Sequence, residues 1–414
     1  MEVVASPTSA PVHRTGSTVL TLVGLDGSPL ADREVSVEQC SHAFGFGNIG
    51  FDFVERGVGG AAPWLRLFNQ ATLPFYWGTF EPQRGRTRAE RLHDTAAWLT
   101  EHGVRVKGHP LVWHTVQPDW LMEVGGDDEV ERLLRSHVRE VVARFSDVIP
   151  LWDAINETVI MPVFANGDNA ITPLAAARGR QYLIRLAFEE ARAANPDATL
   201  VINDFDLSPE YERVIEEALD GGVRIDAIGL QTHMHQGYRG EDEILSIVDR
   251  FARFGLPLQL TETTFVSGHL MPPEIEDLND YQVESWPTTP EGEARQADDL
   301  ERHYRSLFGH PAVESITYWG FSDAGAWLGA PSGLVRADGS PKPSYGVLER
   351  LIRGDWWTAP TRVRTDEAGR FRVEGVAGSY AVAPADGGPA EAEPGAGFEV
   401  RRGEESAAIV ALAV

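Results

Sequence analysis

Ile149-Pro-Leu-Trp-Asp-Ala-Ile-Asn-Glu157 opens on apolar residues and closes on polar ones, and Pro257-Leu-Gln-Leu-Thr-Glu-Thr-Thr-Phe265 repeats that change farther along the chain. A parallel strand buried on both faces reads as a short apolar run, and its polar last residues mark the rim where it meets solvent. Working outward from these two, eight such runs are found: 42–50, 67–75, 105–113, 149–157, 199–207, 225–233, 257–265 and 315–323. Between them, segments such as 129–145 and 175–194 place apolar residues three and four apart among charges, as amphipathic helices do. Eight alternations of this kind predict a (β/α)8 TIM barrel, with a doubly wound open sheet as the competing arrangement.

The barrel is assigned to residues 41–355. Residues 1–15, rich in Pro, Ser and Thr, read as a flexible tail. Thr18-Val-Leu-Thr-Leu-Val23 and Arg33-Glu-Val-Ser-Val-Glu38 read as short strands on either side of an Asp26-Gly27 turn. After Trp356-Trp357, segments such as Arg370-Phe-Arg-Val-Glu374 and Ser379-Tyr-Ala-Val-Ala383 alternate in the same way. Residues 356–414 are too few for a core of their own. They are predicted to join residues 16–40 in one small accessory β-sandwich, with Gly387 to Gly397 as a flexible loop. Residues 266–290, long and without clear pattern, read either as a lid or as an ordered surface insertion.

Composition narrows the function. With 36 Lys+Arg against 62 Asp+Glu the chain of 414 residues carries a formal charge of −26, which argues against nucleic acid or an anionic membrane as partner and suits a neutral one. The single cysteine, Cys40, permits no internal disulfide and no thiolate metal site. No run approaches the roughly 20 apolar residues of a membrane span. Met1-Glu-Val-Val-Ala-Ser-Pro-Thr lacks the basic and apolar regions of a signal peptide, so the sequence as written is expected to be cytoplasmic, and secreted if such a peptide was trimmed.

Sites in such barrels form at the C-terminal strand ends, so residues far apart in sequence converge there. Those ends supply His109, Trp113 and His114; Asn156 and Glu157; Gln231 and His233; Glu262; and Trp319, with Trp327 in the loop that follows. Indoles stack on sugar rings and short polar groups pair with hydroxyls, while two carboxyls of opposite protonation are what glycoside hydrolysis requires. A carbohydrate or glycoside is therefore the expected partner.

Gly108-His-Pro-Leu-Val-Trp-His114, Trp152-Asp-Ala-Ile-Asn-Glu157, Gly229-Leu-Gln-Thr-His233, Leu260-Thr-Glu262 and Trp319-Gly-Phe-Ser-Asp323 resemble, in order, the motifs of glycoside hydrolase family 10, the endo-β-1,4-xylanase family. The flanking β elements resemble those of plant-type members. The resemblance implies a retaining double displacement without cofactor or metal, with Glu157 as acid/base, Glu262 as nucleophile and carboxyls about 5 to 5.5 Å apart. It further implies that the Glu262 charge holds up the Glu157 pKa, that Asn156 contacts a sugar 2-hydroxyl and that His233 hydrogen-bonds the nucleophile. Gln231 would orient the acid/base, His109 would bind a sugar hydroxyl, and Trp113, Trp319 and Trp327 would wall the site.

The second strand departs from the family's Glu-Asn-x-x-Lys-Trp pattern. Thr72, Leu73 and Tyr76 stand for its Glu, Asn and Lys, which removes hydrogen bonds to the sugars on the non-reducing side. A short oligosaccharide or plant glycoside is expected in preference to polymeric xylan. Two other readings compete. A carbohydrate-binding protein without activity would keep the fold but has no need of the acid and nucleophile pair. A metal-dependent hydrolase would use His233-Met-His235 completed by His109 or Asp323.

Overall fold

The computed structural model describes residues 1–5, 7, 9–385 and 396–412, so the expected loop after Gly387 lies, up to residue 395, outside the described residues. The chain divides into two compact units, Met1–Gly45 with Tyr345–Val414, and Phe46–Ser344. The terminal unit begins with β1 (Val3–Val4), β2 (Thr15–Val23) and β3 (Glu34–Gln39).

Then follow β4 (Gly45–Ile49), β5 (Gln70–Pro74), β6 (Arg105–His109), β7 (Leu151–Asn156), β8 (Thr199–Asp204), β9 (Ala227–Met234), β10 (Leu258–Phe265) and β11 (Val313–Tyr318). They close into a barrel in the order β10-β11-β4-β5-β6-β7-β8-β9, which excludes the open sheet. Each overlaps one of the eight apolar runs. β6 stops at His109, short of its run, because Pro110 has no N–H to continue the ladder. The pairing of β7 with β8 shifts register between Asp153 and Ile155, and that of β10 with β9 shifts between Leu260 and Glu262. Such irregularities re-aim side chains at strand ends. Here they flank both glutamates.

Helices cover the outside. Asp127–Arg144 buries Val130, Leu134, Val138 and Val141 on one face and sets Asp127, Asp128 and Glu129 against its positive N-terminal end. The segment 175–194 forms two helices rather than one, Ile171–Arg178 and Arg180–Ala194, because Gly179 takes φ 93° between them. Among the described residues no helix is long and apolar enough to cross a membrane.

The chain ends with β12 (Thr361–Arg364), β13 (Arg370–Val376), β14 (Gly378–Pro384), β15 (Gly397–Val400) and β16 (Glu405–Ala411). Two four-stranded sheets result, β1-β13-β2-β16 and β12-β3-β14-β15. Their alternate residues meet in one core, with Leu20, Leu22, Phe371 and Val373 from the first and Val35, Val37, Tyr380 and Val382 from the second. The Asp26-Gly27 turn forms, yet β2 and β3 diverge into opposite sheets and each finds its partners in the C-terminal segment. Residues 1–15 are not wholly a tail. Val4 is buried in the sandwich core, and β1 lies parallel to β13.

Gly108 shows how tightly the barrel is filled. It pairs with Trp152, and a Cβ at this position would stand 2.1 Å from the indole ring. Trp152 is fully buried and cannot yield. Gly108→Ala is therefore expected to cost about 1–3 kcal/mol, read as a lowered melting temperature against wild type.

Candidate active site

The carboxyls are set by different neighbours. Glu157 follows β7 directly with φ 56°, a left-handed conformation that is strained for a residue with a side chain. Its N–H donates to Asn203 O (2.8 Å), which holds that turn in place. Trp113 Nε1 donates to Glu157 Oε2 (2.8 Å) and Asn156 Nδ2 to Oε1 (3.2 Å). Burial pushes the Glu157 pKa up to about 8; the Trp113 bond opposes this, the Asp204 and Glu262 charges add to it, and a Gln231 bond opposes it. The expected cause, the Glu262 charge, is thus secondary to desolvation. Asp204, beside it, is itself raised to about 6 by burial despite N–H donors from Asp206 and Val159.

Glu262 lies on β10 and is the more buried of the two, but its pKa falls below the usual carboxylate value. Burial acts to raise it and is outweighed by the His109 charge and by the bond and charge of His233. His233 Nε2 donates to Glu262 Oε2 (3.1 Å), while its Nδ1 meets Thr264 Oγ1 (2.8 Å). His109 Nε2 stands 3.9 Å from Glu262 Oε1. Behind it, His109 Nδ1 donates to Asp153 Oδ2 (2.7 Å), and Lys107 Nζ sits 2.8 Å from the same oxygen, all three side chains sealed in the barrel. Opposed charges keep Asp153 ionised against its burial.

Two amides join the carboxyls. Asn203 Nδ2 donates to Asn156 Oδ1 (2.8 Å) and to Glu262 Oε1 (2.9 Å), and Gln231 Nε2 also donates to Asn156 Oδ1 (3.1 Å). Of the sequence candidates, Glu157, Glu262, Asn156, Gln231, His109, His233 and Trp113 therefore converge. Trp319 packs edge-on against His109 and His233, and Trp327 lies against His233 at 4.9 Å between centroids. His114 is buried on Phe164, and burial lowers its pKa to about 4, so it stays neutral.

Thr72 and Leu73 do not join them. Both are fully buried inside β5, so neither reaches the cleft surface that they were expected to line. Only Tyr76, beyond the strand end, stands over the site. Asn203, Asp153 and Lys107 were missed. Asn203-Asp204 ends the strand within the run 199–207 as Asn156-Glu157 ends its own run, and that signal marks Asn203, whereas Lys107 and Asp153 lie inside their runs and carry no such mark. His233 and His235 do not form a metal pair: His233 uses both nitrogens on Glu262 and Thr264, and His235 faces Trp286 and Trp327. Among the described residues no group of three His, Cys, Asp or Glu could hold a metal ion. The insertion 266–290 is ordered around its own apolar cluster of Val266, Met271 and Trp286 with Ala330.

A closed (β/α)8 barrel that presents one carboxyl held protonated and one held ionised carries the pair that a glycoside hydrolase requires. The chain belongs to glycosyl hydrolase family 10, whose profile matches residues 68–350. It is 28% identical over 291 residues to endo-1,4-beta-xylanase B of Thermotoga neapolitana, covering 67% of this chain and 78% of that protein. It is 30% identical over 266 residues to an endo-1,4-beta-xylanase of Geobacillus stearothermophilus, covering 60% and 75%. In fold it is similar to xylanase 10B of Thermotoga petrophila RKU-1, solved with xylobiose, at TM-score 0.61 and 24% identity over 75% of this chain and 95% of that one. It is thus a retaining glycoside hydrolase with a carbohydrate substrate.

The raised Glu157 pKa has a consequence for stability. A carboxyl whose folded pKa lies above its unfolded value of 4.5 lends stability fully below that value and loses it as pH rises through about 8. Glu157→Gln should therefore melt higher than wild type by a margin that widens from pH 5 to pH 9, as followed by circular dichroism.

Proposed function

We propose that this chain hydrolyses β-1,4-xylosidic linkages with retention, in a short oligosaccharide or plant glycoside rather than in polymeric xylan. The opposite protonation of Glu157 and Glu262 carries the reading. Glu262 attacks the anomeric carbon while Glu157 gives its proton to the leaving oxygen, and a glycosyl ester of Glu262 forms. Having given up its proton, and with the Glu262 charge consumed by the ester, Glu157 is ionised; it takes a proton from water and directs the hydroxyl to the same carbon, which breaks the ester and releases Glu262 as a carboxylate. In this reading Asn156 meets the sugar 2-hydroxyl, as the family resemblance implies. The relatives' names supply the sugar, and their label is endo-1,4-beta-xylanase. The preference for short substrates rests on Thr72 and Leu73, which are withdrawn from the surface and offer no hydrogen bonds.

Products from xylohexaose and from a panel of aryl and plant β-glycosides, analysed by mass spectrometry with Glu262→Gln as blank, test this. Glu262-dependent cleavage of short xylosides or plant glycosides is expected, and brisk cutting of long xylan would overturn the size preference. Glu157→Gln is expected to slow natural glycosides by about 10²–10⁴-fold and, on aryl glycosides, whose leaving group needs little proton help, to spare the first step read as kcat/KM while lowering kcat, because hydrolysis of the ester still lacks its base.

Activity requires Glu157 protonated and Glu262 ionised, so the rate should fall as pH rises through about 8 and fall again on the acid side below the ordinary carboxylate range. Trp113→Phe removes a bond that favours the ionised Glu157 and should move the alkaline limb upward.

A further inference from the structure

Four rings beside the nucleophile touch one another in a closed cycle. Phe51 meets Tyr76 at 6.0 Å between centroids, Tyr76 meets His109 at 5.6 Å, His109 meets Trp319 at 5.2 Å, and Trp319 returns to Phe51 at 5.5 Å. All four contacts are edge-to-face, with interplanar angles from 77° to 87°. Centroid separations of this size are direct contact, with no room for a sugar ring between the members. The cycle joins residues at or just beyond the ends of four consecutive strands of the barrel order, β11, β4, β5 and β6. Two of its members reach the nucleophile: His109 Nε2 lies 3.9 Å from Glu262 Oε1, and Trp319 packs on His233, which donates to Glu262.

A sugar attacked by Glu262 has this wall beside it. Tyr76 lies two residues past the end of β5, and it also packs on Trp113 at 5.5 Å. Its hydroxyl is held neutral, since burial raises its pKa and the charges of Glu262, Glu157 and Asp153 add to the rise. A neutral phenol among carboxylates is a hydrogen-bond donor, able to meet a hydroxyl of the same sugar.

We infer that the Phe51–Tyr76–His109–Trp319 wall ends the site on the donor side, so that the enzyme seats one sugar there and removes single sugars from the non-reducing end of a short chain. This rests on the retaining β-xylosidic reading above and narrows it, since the relatives' names denote internal cutting.

The test uses four β-1,4-linked xyloses tagged with 2-aminobenzamide at the reducing end, followed at low conversion by chromatography. The expected first product is the tagged trisaccharide with free xylose. Tyr76→Ala and Phe51→Ala each open the cycle and should shift the first tagged product toward the disaccharide, whereas Tyr76→Phe keeps the ring and should keep the pattern. A tagged disaccharide or monosaccharide as the first product of the wild-type enzyme overturns the inference and leaves the hydrolytic reading intact, whatever the variants do. An unchanged pattern in both folded alanine variants also overturns it. Absence of any Glu262-dependent cleavage of xylosides, tagged or aryl, removes both readings together.

Discussion

The pair of bonds from Asn203 Nδ2, one to Asn156 Oδ1 and one to Glu262 Oε1, together with the Asn156 bond to Glu157 Oε1, ties the two carboxyls into one network. An amide nitrogen has two hydrogens, and both are used here. The Asn203 oxygen is taken by the Thr261 hydroxyl at 2.6 Å, so the amide cannot reverse without losing three bonds. Asn156 is fixed in turn, because its oxygen accepts from Asn203 and Gln231 and its nitrogen is left to face Glu157. Space for this network is made by Gly229, where a Cβ would stand 2.4 Å from the Asn203 oxygen. The same glycine belongs to the Gly229-Leu-Gln-Thr-His233 motif, so its presence there has a packing cause.

Burial alone would push both glutamates toward the protonated form, and hydrolysis needs only one of them there. The asymmetry comes from the neighbours. Glu262 has two imidazoles on its side, whereas Glu157 has an indole, amides and the Asp204 carboxyl, and His114 nearby is kept neutral by its own burial. Glu157 also sits just past the end of its strand, where the backbone turns left-handed. Strain at a reacting residue is held by its surroundings, here by the N–H bond to Asn203 O, so the same residue that bridges the carboxyls also anchors the strained turn.

The barrel was legible because strands buried on both faces must be continuous apolar runs, and the residues that follow them must be polar. That rule found Glu157, Glu262, Asn156 and His233, each at a strand end or a register shift. It fails inside strands. Thr72 and Leu73 occupy the positions of polar residues in the family pattern, yet they lie within β5 and are sealed, and only a three-dimensional view separates them from Tyr76 four residues on. Lys107 and Asp153 are charges in the middle of apolar runs, where pattern alone reads them as interruptions. The partners of β2 and β3 lie more than three hundred residues away, so no local turn signal could assign them.

Lys107 and Asp153 complete the argument about charge. A buried lysine is costly unless an anion meets it, and a carboxylate that meets a lysine still has lone pairs to fill. Asp153 accepts from His109 as well, so the buried pair fixes the imidazole that looks toward Glu262. His233 receives its orientation from a neutral hydroxyl, Thr264, instead. The nucleophile is therefore flanked by one histidine fixed through an ion pair and one fixed through a neutral contact. The first lies in the aromatic wall and cannot turn; the second stands beside the exposed Trp327. Rigidity is thus concentrated on the side where the reacting sugar must be held, and the adaptable contacts lie on the side open to solvent.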